Sequence, residues 1–207
     1  MRVLLIGAPG AGKGTQAVRV AHHFGLAHIS SGDLLRDHVA KGTAIGRAAQ
    51  EYVRRGDLVP DSIVMDMLYK PVSAASAASG YVLDGFPRTV EQAQAAYMVA
   101  RHIGANVQVA VHLDVPREEL VRRLLARGRG ADDNADVVDH RLMVYEQSTL
   151  PMLSYYADRE QLVTVDGTPA PDAVFSSLLG PLEAIRDELH EPREDGHEPV
   201  PPAPPTS

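Results

Sequence analysis

Cysteine is absent from the 207 residues, which excludes a disulfide scaffold, a thiolate-ligated zinc site and any thiol chemistry. Its absence also agrees with a reducing compartment. No apolar run approaches the roughly 18 to 20 residues that a membrane-spanning helix needs. Near the start, Val3-Leu4-Leu5-Ile6 follows a single basic residue, Arg2, and is shorter than the roughly 7 to 15 residues of a secretory apolar core. A cytoplasmic location and no membrane partner are therefore expected. A basic surplus is lacking too: 20 Lys and Arg face 27 Asp and Glu, a formal net charge of −7. That balance argues against a nucleic-acid partner. Lysine is scarce, with Lys13, Lys41 and Lys70 against 17 arginines, and the nine histidines show no metal-binding spacing. No internal repeat is evident. What remains, 44% hydrophobic and 23% charged, is the composition of one globular domain with a real core.

Taken whole, −7 is a poor setting for a highly anionic ligand, but the charge is unevenly placed. Residues 190–207 hold Glu191, Glu194, Asp195 and Glu198 against Arg193, so the tail carries −3 and residues 1–189 carry −4. Six of the 15 prolines fall within 192–207, where there are no aromatics. Such a segment buries too little to offset its ordering entropy, so 190–207 is expected to be a disordered, acidic, Pro-rich tail. A polyproline ligand for some partner is the other reading of it. Arginine's planar fork suits bidentate phosphate binding. A GC-rich genome produces the same preference, so only position separates the two explanations.

Along residues 1–189, short apolar runs alternate with helical patterns. Strands are expected at Arg2–Gly7, Leu26–Ser30, Tyr81–Asp84, Val107–Val115 and Leu162–Asp166. Helices are expected at 15–24, 33–41, 44–55, 61–70, 89–103, 117–127, 134–157 and about 172–189, the last kinked at Gly180-Pro181. Alternation of this kind predicts an α/β fold, a five-stranded parallel sheet flanked by helices on both faces. Its ligands are expected at the carboxyl ends of the strands, near the topological switch point. Tyr155 and Tyr156 read as core, and His22-His23 as surface.

The strongest local signal is Gly7-Ala-Pro-Gly-Ala-Gly-Lys-Gly-Thr15, between the first strand and the first helix. Glycines let the backbone wrap around phosphate oxygens with successive N–H groups turned inward. The helix N-terminus adds partial positive charge, and Lys13 reaches the outer phosphates. Gly14 stands between Lys13 and Thr15, so no hydroxyl directly follows the lysine as in the general pattern.

This loop resembles that of the nucleoside monophosphate kinases, specifically the adenylate kinase family. Three further segments agree in order and spacing: Ser31-Gly-Asp-Leu-Leu-Arg36, Gly56-Asp-Leu-Val59, and Asp84-Gly-Phe-Pro-Arg-Thr89 followed by Gln92. The resemblance covers roughly residues 1 to 189. It implies a three-layer P-loop domain over 1–189, with a helical NMP-binding insertion at 30–59 and a short lid at about 126–133. It also implies a monomer that acts on ATP, AMP and ADP, with Mg²⁺ accompanying ATP.

By the same resemblance, ATP is held by Gly10, Ala11, Gly12, Lys13, Gly14 and Thr15, with Arg127 and the backbone of Gly167. AMP is held by Ser31, Arg36, Asp57, Leu58, Val59, Gly85, Phe86, Pro87, Arg88, Gln92, Arg129 and Arg141. Lys13, Arg88, Arg123 and Arg141 surround the transferring group. Asp84 holds Mg²⁺ through its water shell, as suits an ion that keeps several waters; capping of the next turn is its other reading. For Ser31 and Asp33, helix capping stands beside ligand contact. Gln92 on its helix offers an amide to an adenine edge.

Six arginines crowd residues 117–141: Arg117, Arg122, Arg123, Arg127, Arg129 and Arg141. Arg123 and Arg127 are four apart on one helix face, a repulsive pair unless an anion sits between them. Glu118, Glu119, Asp132, Asp133 and Asp136 are available to neutralise some, so a solvated charged face is the competing reading. The lid, Gly128-Arg-Gly-Ala131, is short and free of cysteine, so no zinc is expected there. Arg129 stands three residues before Asp132 rather than the family's two.

The expected reaction is transfer of the γ-phosphoryl group of ATP to AMP. The same chemistry with UMP, CMP or GMP as acceptor is one alternative, against which Ser31 and Gln92 speak. A nucleotide-binding regulator without turnover is another. It lacks support because the loop lysine and the arginines are intact, and no Asn-Lys-x-Asp guanine motif is present.

Overall fold

The structure, a computed structural model, describes residues 1–127, 134–159 and 161–190. Arg129, the lid residues from 128 to 133 and the tail from 191 onward lie outside the described residues. The first strand, β1 (Arg2–Gly7), is buried on both faces, with Val3 and Leu4 fully enclosed. A run that is apolar without alternation belongs in the interior of a parallel sheet. Around it stand β2 (Ala27–Ser30), β3 (Tyr81–Asp84), β4 (Val109–Asp114) and β5 (Leu162–Asp166), all parallel, in the order β2-β3-β1-β4-β5. The connections run from β1 outward to β2 and β3 on one side, then to β4 and β5 on the other. The order reverses at β1, and the loop that follows β1 opens into the resulting crevice.

Among the described residues, helices cover both faces of the sheet. On one side lie α1 (Lys13–Phe24), α6 (Arg117–Arg127), α7 (Ala135–Val144) and α9 (Pro171–His190), packed through Val20, Leu124, Leu142, Leu178 and Leu182. On the other lie α2 (Ser31–Ala40), α3 (Ala44–Arg55), α4 (Asp61–Ala78), α5 (Val90–His102) and α8 (Met152–Ala157), packed through Leu35, Ala49, Leu68, Ala93 and Met152. Tyr155 and Tyr156 are buried in this second cluster, and His22 and His23 are exposed. The three-layer architecture expected from the alternation of strands and helices is the one observed.

The structure departs from the sequence reading at several points. Helix α4 does not stop at Lys70 but runs through Pro71 to Ala78. Val72 and Ala75 pack into the core, and that burial outweighs the ladder bond that Pro71 cannot make. The single helix expected over 134–157 is broken into α7, one π-helical turn at Tyr145–Thr149, and α8, which starts after Pro151. Helix α9 runs through Gly180 and Pro181, as its expected span does, with Leu178 and Leu182 both fully buried. At α2 the cap is Ser30, whose Oγ accepts from Asp33 N at 3.2 Å. The N-cap is thus Ser30 rather than Ser31 or Asp33.

Candidate active site

The loop after β1 is built from left-handed glycines. Gly10 and Gly12 have φ of +87° and +93°, a region closed to most side chains. Gly12 is the N-cap of α1 and supplies no side chain to cap it, so the first N–H groups of the helix are left for a ligand. Lys13 folds back under the loop, and its Nζ donates to Gly7 O at 2.8 Å and Ala8 O at 3.0 Å. Burial pushes its ammonium down to about 8; Asp84 opposes this, while Arg88, Arg141 and Arg127 reinforce it. Asp84 ends β3 next to β1 and is nearly buried, and Gly14 lies beside its carboxylate.

Arg88 is fixed by its own loop. Its Nε donates to Gly85 O at 2.7 Å, its backbone N–H donates to Gln92 Oε1 at 2.7 Å, and its carbonyl accepts from Thr149 Oγ1 at 2.9 Å. Burial holds its guanidinium below the usual arginine range, with Asp84 as the opposing charge. Gln92 also donates from Nε2 to Asp61 Oδ1 at 2.7 Å. One lone pair and one N–H of this amide are thus committed, which leaves the other pair to meet a base edge.

Two cavities adjoin this cluster. The first, about 710 Å³ of empty space, lies between α2, the turn after α3, the loop after β3 and α7. Ser31, Arg36, Asp57, Leu58, Val59, Gly85, Phe86, Arg88, Gln92 and Arg141 all line it. Pro87 does not. It faces an adjoining recess with Lys13, Arg88, Arg141 and Thr149. Ser31 is almost fully buried and its Oγ has no hydrogen-bond partner.

The second cavity, about 1620 Å³, opens over the glycine loop. It is lined by Gly10, Gly12, Lys13, Gly14, Thr15, Asp84, Arg88, Arg123, Arg127 and Arg141. The two spaces meet at Gly32, Arg36, Gly85, Arg88 and Arg141. Ala11 lines neither; its side chain is buried against Gly7. Gly167 contributes a carbonyl that accepts from Arg123 at 2.9 Å, and Thr168 O accepts from the same guanidinium at 2.8 Å. Arg123 also pairs with Glu119 at 2.6 Å, which relieves its repulsion with Arg127.

Several residues of this region were not singled out from the sequence. Val137, Val144, Tyr145 and Thr149 line the cavities, and His140 Nε2 lies 2.6 Å from Asp57 Oδ1. His112 is buried in β4 beside Tyr145, 3.1 Å from its hydroxyl, and burial lowers its pKa against the opposing charge of Asp114. None belongs to a motif, and each is brought in by tertiary packing.

Two anion-accepting spaces that share three arginines leave room for one phosphorylated ligand on each side. The strand, glycine loop and helix beneath one of them are the P-loop arrangement. Fold and site together define a P-loop phosphotransferase for nucleotides. Residues 5–161 match the family model described as adenylate kinase. An adenylate kinase of Mycobacteroides abscessus is 45% identical over 176 residues, 85% of this chain and 96% of that protein. One of Phocaeicola vulgatus is 38% identical over 188 residues, 89% of this chain and all of that protein. Adenylate kinase 1 of Synechocystis sp. is 42% identical over 176 residues, covering 85% and 94%. On this likeness the chain belongs to the adenylate kinase family.

Proposed function

We infer that the protein catalyses the reversible, Mg²⁺-dependent transfer of the γ-phosphoryl group from ATP to AMP, giving two ADP. The observation that carries this reading is the confluence of the two cavities at Arg36, Arg88 and Arg141. A monophosphate in the first and a triphosphate over the glycine loop meet at cations that both spaces share.

The acceptor is a phosphate oxygen, already ionised near neutral pH, so no general base is needed. Lys13, Arg88, Arg123 and Arg141 neutralise charge on the transferring group, and the loop N–H groups hold the phosphates that stay behind. Arg36 anchors the AMP phosphate. Ser31, Gln92 and the 57–59 wall receive the adenine, with Gly85, Phe86 and Pro87 shaping the floor. ATP lies on Gly10, Ala11, Gly12, Gly14 and Thr15, with Arg127 at its outer phosphates and Gly167 at the base, and Arg129 is assigned to AMP.

Asp84 fits a Mg²⁺ site, because its nearly buried carboxylate borders the phosphate cavity, beside Gly14 and the buried Lys13. Mg²⁺ bound there supplies charge neutralisation on the phosphates. Residues 1–189 form the catalytic domain, with 30–59 as the AMP-binding segment. No helix among the described residues is long and apolar enough to cross a membrane; a cytoplasmic location and a monomeric state rest on the family likeness.

The test is a coupled assay of MgATP with AMP, CMP, UMP and GMP in turn. AMP is expected to give ADP far faster than the others. A pyrimidine or guanine acceptor that outpaces AMP would overturn the assignment.

A further inference from the structure

Asp57 and His140 are 83 residues apart in the chain, and His140 Nε2 lies 2.6 Å from Asp57 Oδ1. A carboxylate can only accept, so Nε2 carries the proton of this bond. Asp57 belongs to the turn between α3 and α4, the wall of the first cavity. His140 lies on α7, immediately before Arg141. The two segments also touch next to this pair. Gly56, at φ +76°, lies against the Arg141 side chain so closely that a Cβ there would sit 2.6 Å from Arg141 Cγ, and 3.5 Å from Val137 Cγ1.

Both partners are about one-third exposed, His140 at 36% and Asp57 at 37%. Neither needs the other to escape an unsatisfied burial, and a pair in this setting adds little to overall stability. What it fixes is the position of one segment against another. The wall is pinned at two points. Asp61 accepts from Gln92 on α5, and Asp57 accepts from His140 on α7. Of these two ties, it is the second that joins the wall to the helix that carries Arg141, a cation common to both cavities.

We propose that His140 is a positioning residue for the acceptor nucleotide. Its hydrogen bond to Asp57 holds the 56–59 wall on α7, so that wall and Arg141 meet one nucleoside monophosphate together. This rests on the phosphotransfer reading above. Without the tie the wall spends time away from α7, and the apparent affinity for AMP falls by the fraction of molecules in which the pocket is assembled. The triphosphate site, built on the glycine loop, does not depend on that wall.

The experiment is steady-state kinetics with MgATP and AMP on the unsubstituted protein, His140→Ala, His140→Leu, His140→Lys, Asp57→Ala and the His140→Ala/Asp57→Ala double variant. His140→Ala is expected to raise KM for AMP about fivefold, the scale of one half-exposed charge-assisted hydrogen bond. KM for MgATP stays within about twofold, because the loop site is intact. His140→Leu, of similar bulk and without a donor, behaves as His140→Ala and keeps the comparison alive if the alanine variant does not fold. His140→Lys restores the donor and a KM for AMP near that of the unsubstituted protein. The double variant is no worse than Asp57→Ala alone, the signature of one shared interaction. An unchanged KM for AMP in His140→Ala and His140→Leu overturns the proposal. So does an equal rise in both KM values, a lysine variant that rescues nothing, or strict additivity. Absence of ATP- and AMP-dependent turnover in the unsubstituted protein would instead overturn the phosphotransfer reading.

Discussion

Gly85 lies so close to Ser31 that a Cβ on the glycine would stand 2.6 Å from the serine Oγ. The hydroxyl is almost completely buried and has no hydrogen-bond partner. Gly85 itself has a φ of +86°, so the contact is set by backbone on one side and an enclosed side chain on the other. The cavity assigned to the monophosphate is therefore narrow at this point, and the polar atom facing it is not engaged elsewhere in the fold.

Substituting Gly85→Ala forces a methyl against Ser31 and a side chain into left-handed backbone. Stability is expected to fall by about 1 to 3 kcal/mol, and KM for AMP is expected to rise. Thermal unfolding together with AMP titration checks both. A variant as stable as the parent, with unaltered KM, would mean that the loop after β3 moves aside freely.

The effects of Ser31→Ala are expected to oppose each other. Removing a buried, unpartnered hydroxyl leaves the empty protein as stable as before or stabler, by up to about 1 kcal/mol. The same change is expected to weaken AMP binding several-fold and to narrow the preference for AMP over CMP. Denaturant unfolding and competition between the two acceptors measure these separately. A clear loss of stability would show that the hydroxyl has a structural partner.

Lys13→Ala is expected to lower kcat by at least about 10²- to 10³-fold, the scale on which a positioned charge stabilises transferring groups. The fold is retained, because the lysine's own hydrogen bonds go only to Gly7 O and Ala8 O. Turnover near that of the parent, with an unchanged circular dichroism spectrum, would remove Lys13 from the mechanism.

The pH dependence follows from the same lysine. Burial lowers its pKa from 10.5 to about 8 in the empty protein. Between those values the unfolded chain holds a proton that the folded protein has lost. The contribution of this group to stability thus rises as the pH climbs from about 8 to above 10. Activity moves the other way. kcat/KM for MgATP, which reports the free enzyme, is expected to fall above about pH 8. Bound phosphate favours the ammonium, so kcat is expected to hold to higher pH. Rate profiles from pH 6 to 10 decide this, and a kcat/KM profile flat to pH 10 would falsify the assignment.

The sheet, both helical layers and the glycine loop were legible because each rests on local pattern: an unbroken apolar run, a 3.6-residue period, glycines at fixed offsets. The misplaced end of α4 has a tertiary cause. Pro71 is a breaker by local rules, yet Ala75 is buried just beyond it, and tertiary burial decides against the local preference. The reverse error, one helix drawn over 134–157, overlooked Pro151. At the site, Ser31, Arg36, the 57–59 wall, Gly85, Phe86, Arg88 and Gln92 came from three short motifs whose residues lie close together in the chain. The pairing of Asp57 with His140, and of His112 with Tyr145, did not. These pairs span 83 and 33 residues, and nothing in either neighbourhood marks the partner.

The central place of β1 has a consequence for biosynthesis. Its neighbours β3 and β4 end at Asp84 and Asp114, and Arg141 follows later still. At roughly 5 to 20 residues added per second, an interval on the order of 10 s separates the emergence of Lys13 from that of Arg141. During that interval β2, β3 and β4 are translated and the cations that face the loop emerge one after another, Arg141 last. Until Arg141 has emerged, a nucleotide therefore finds only part of its site. It rewards only a chain whose assembly is already finished.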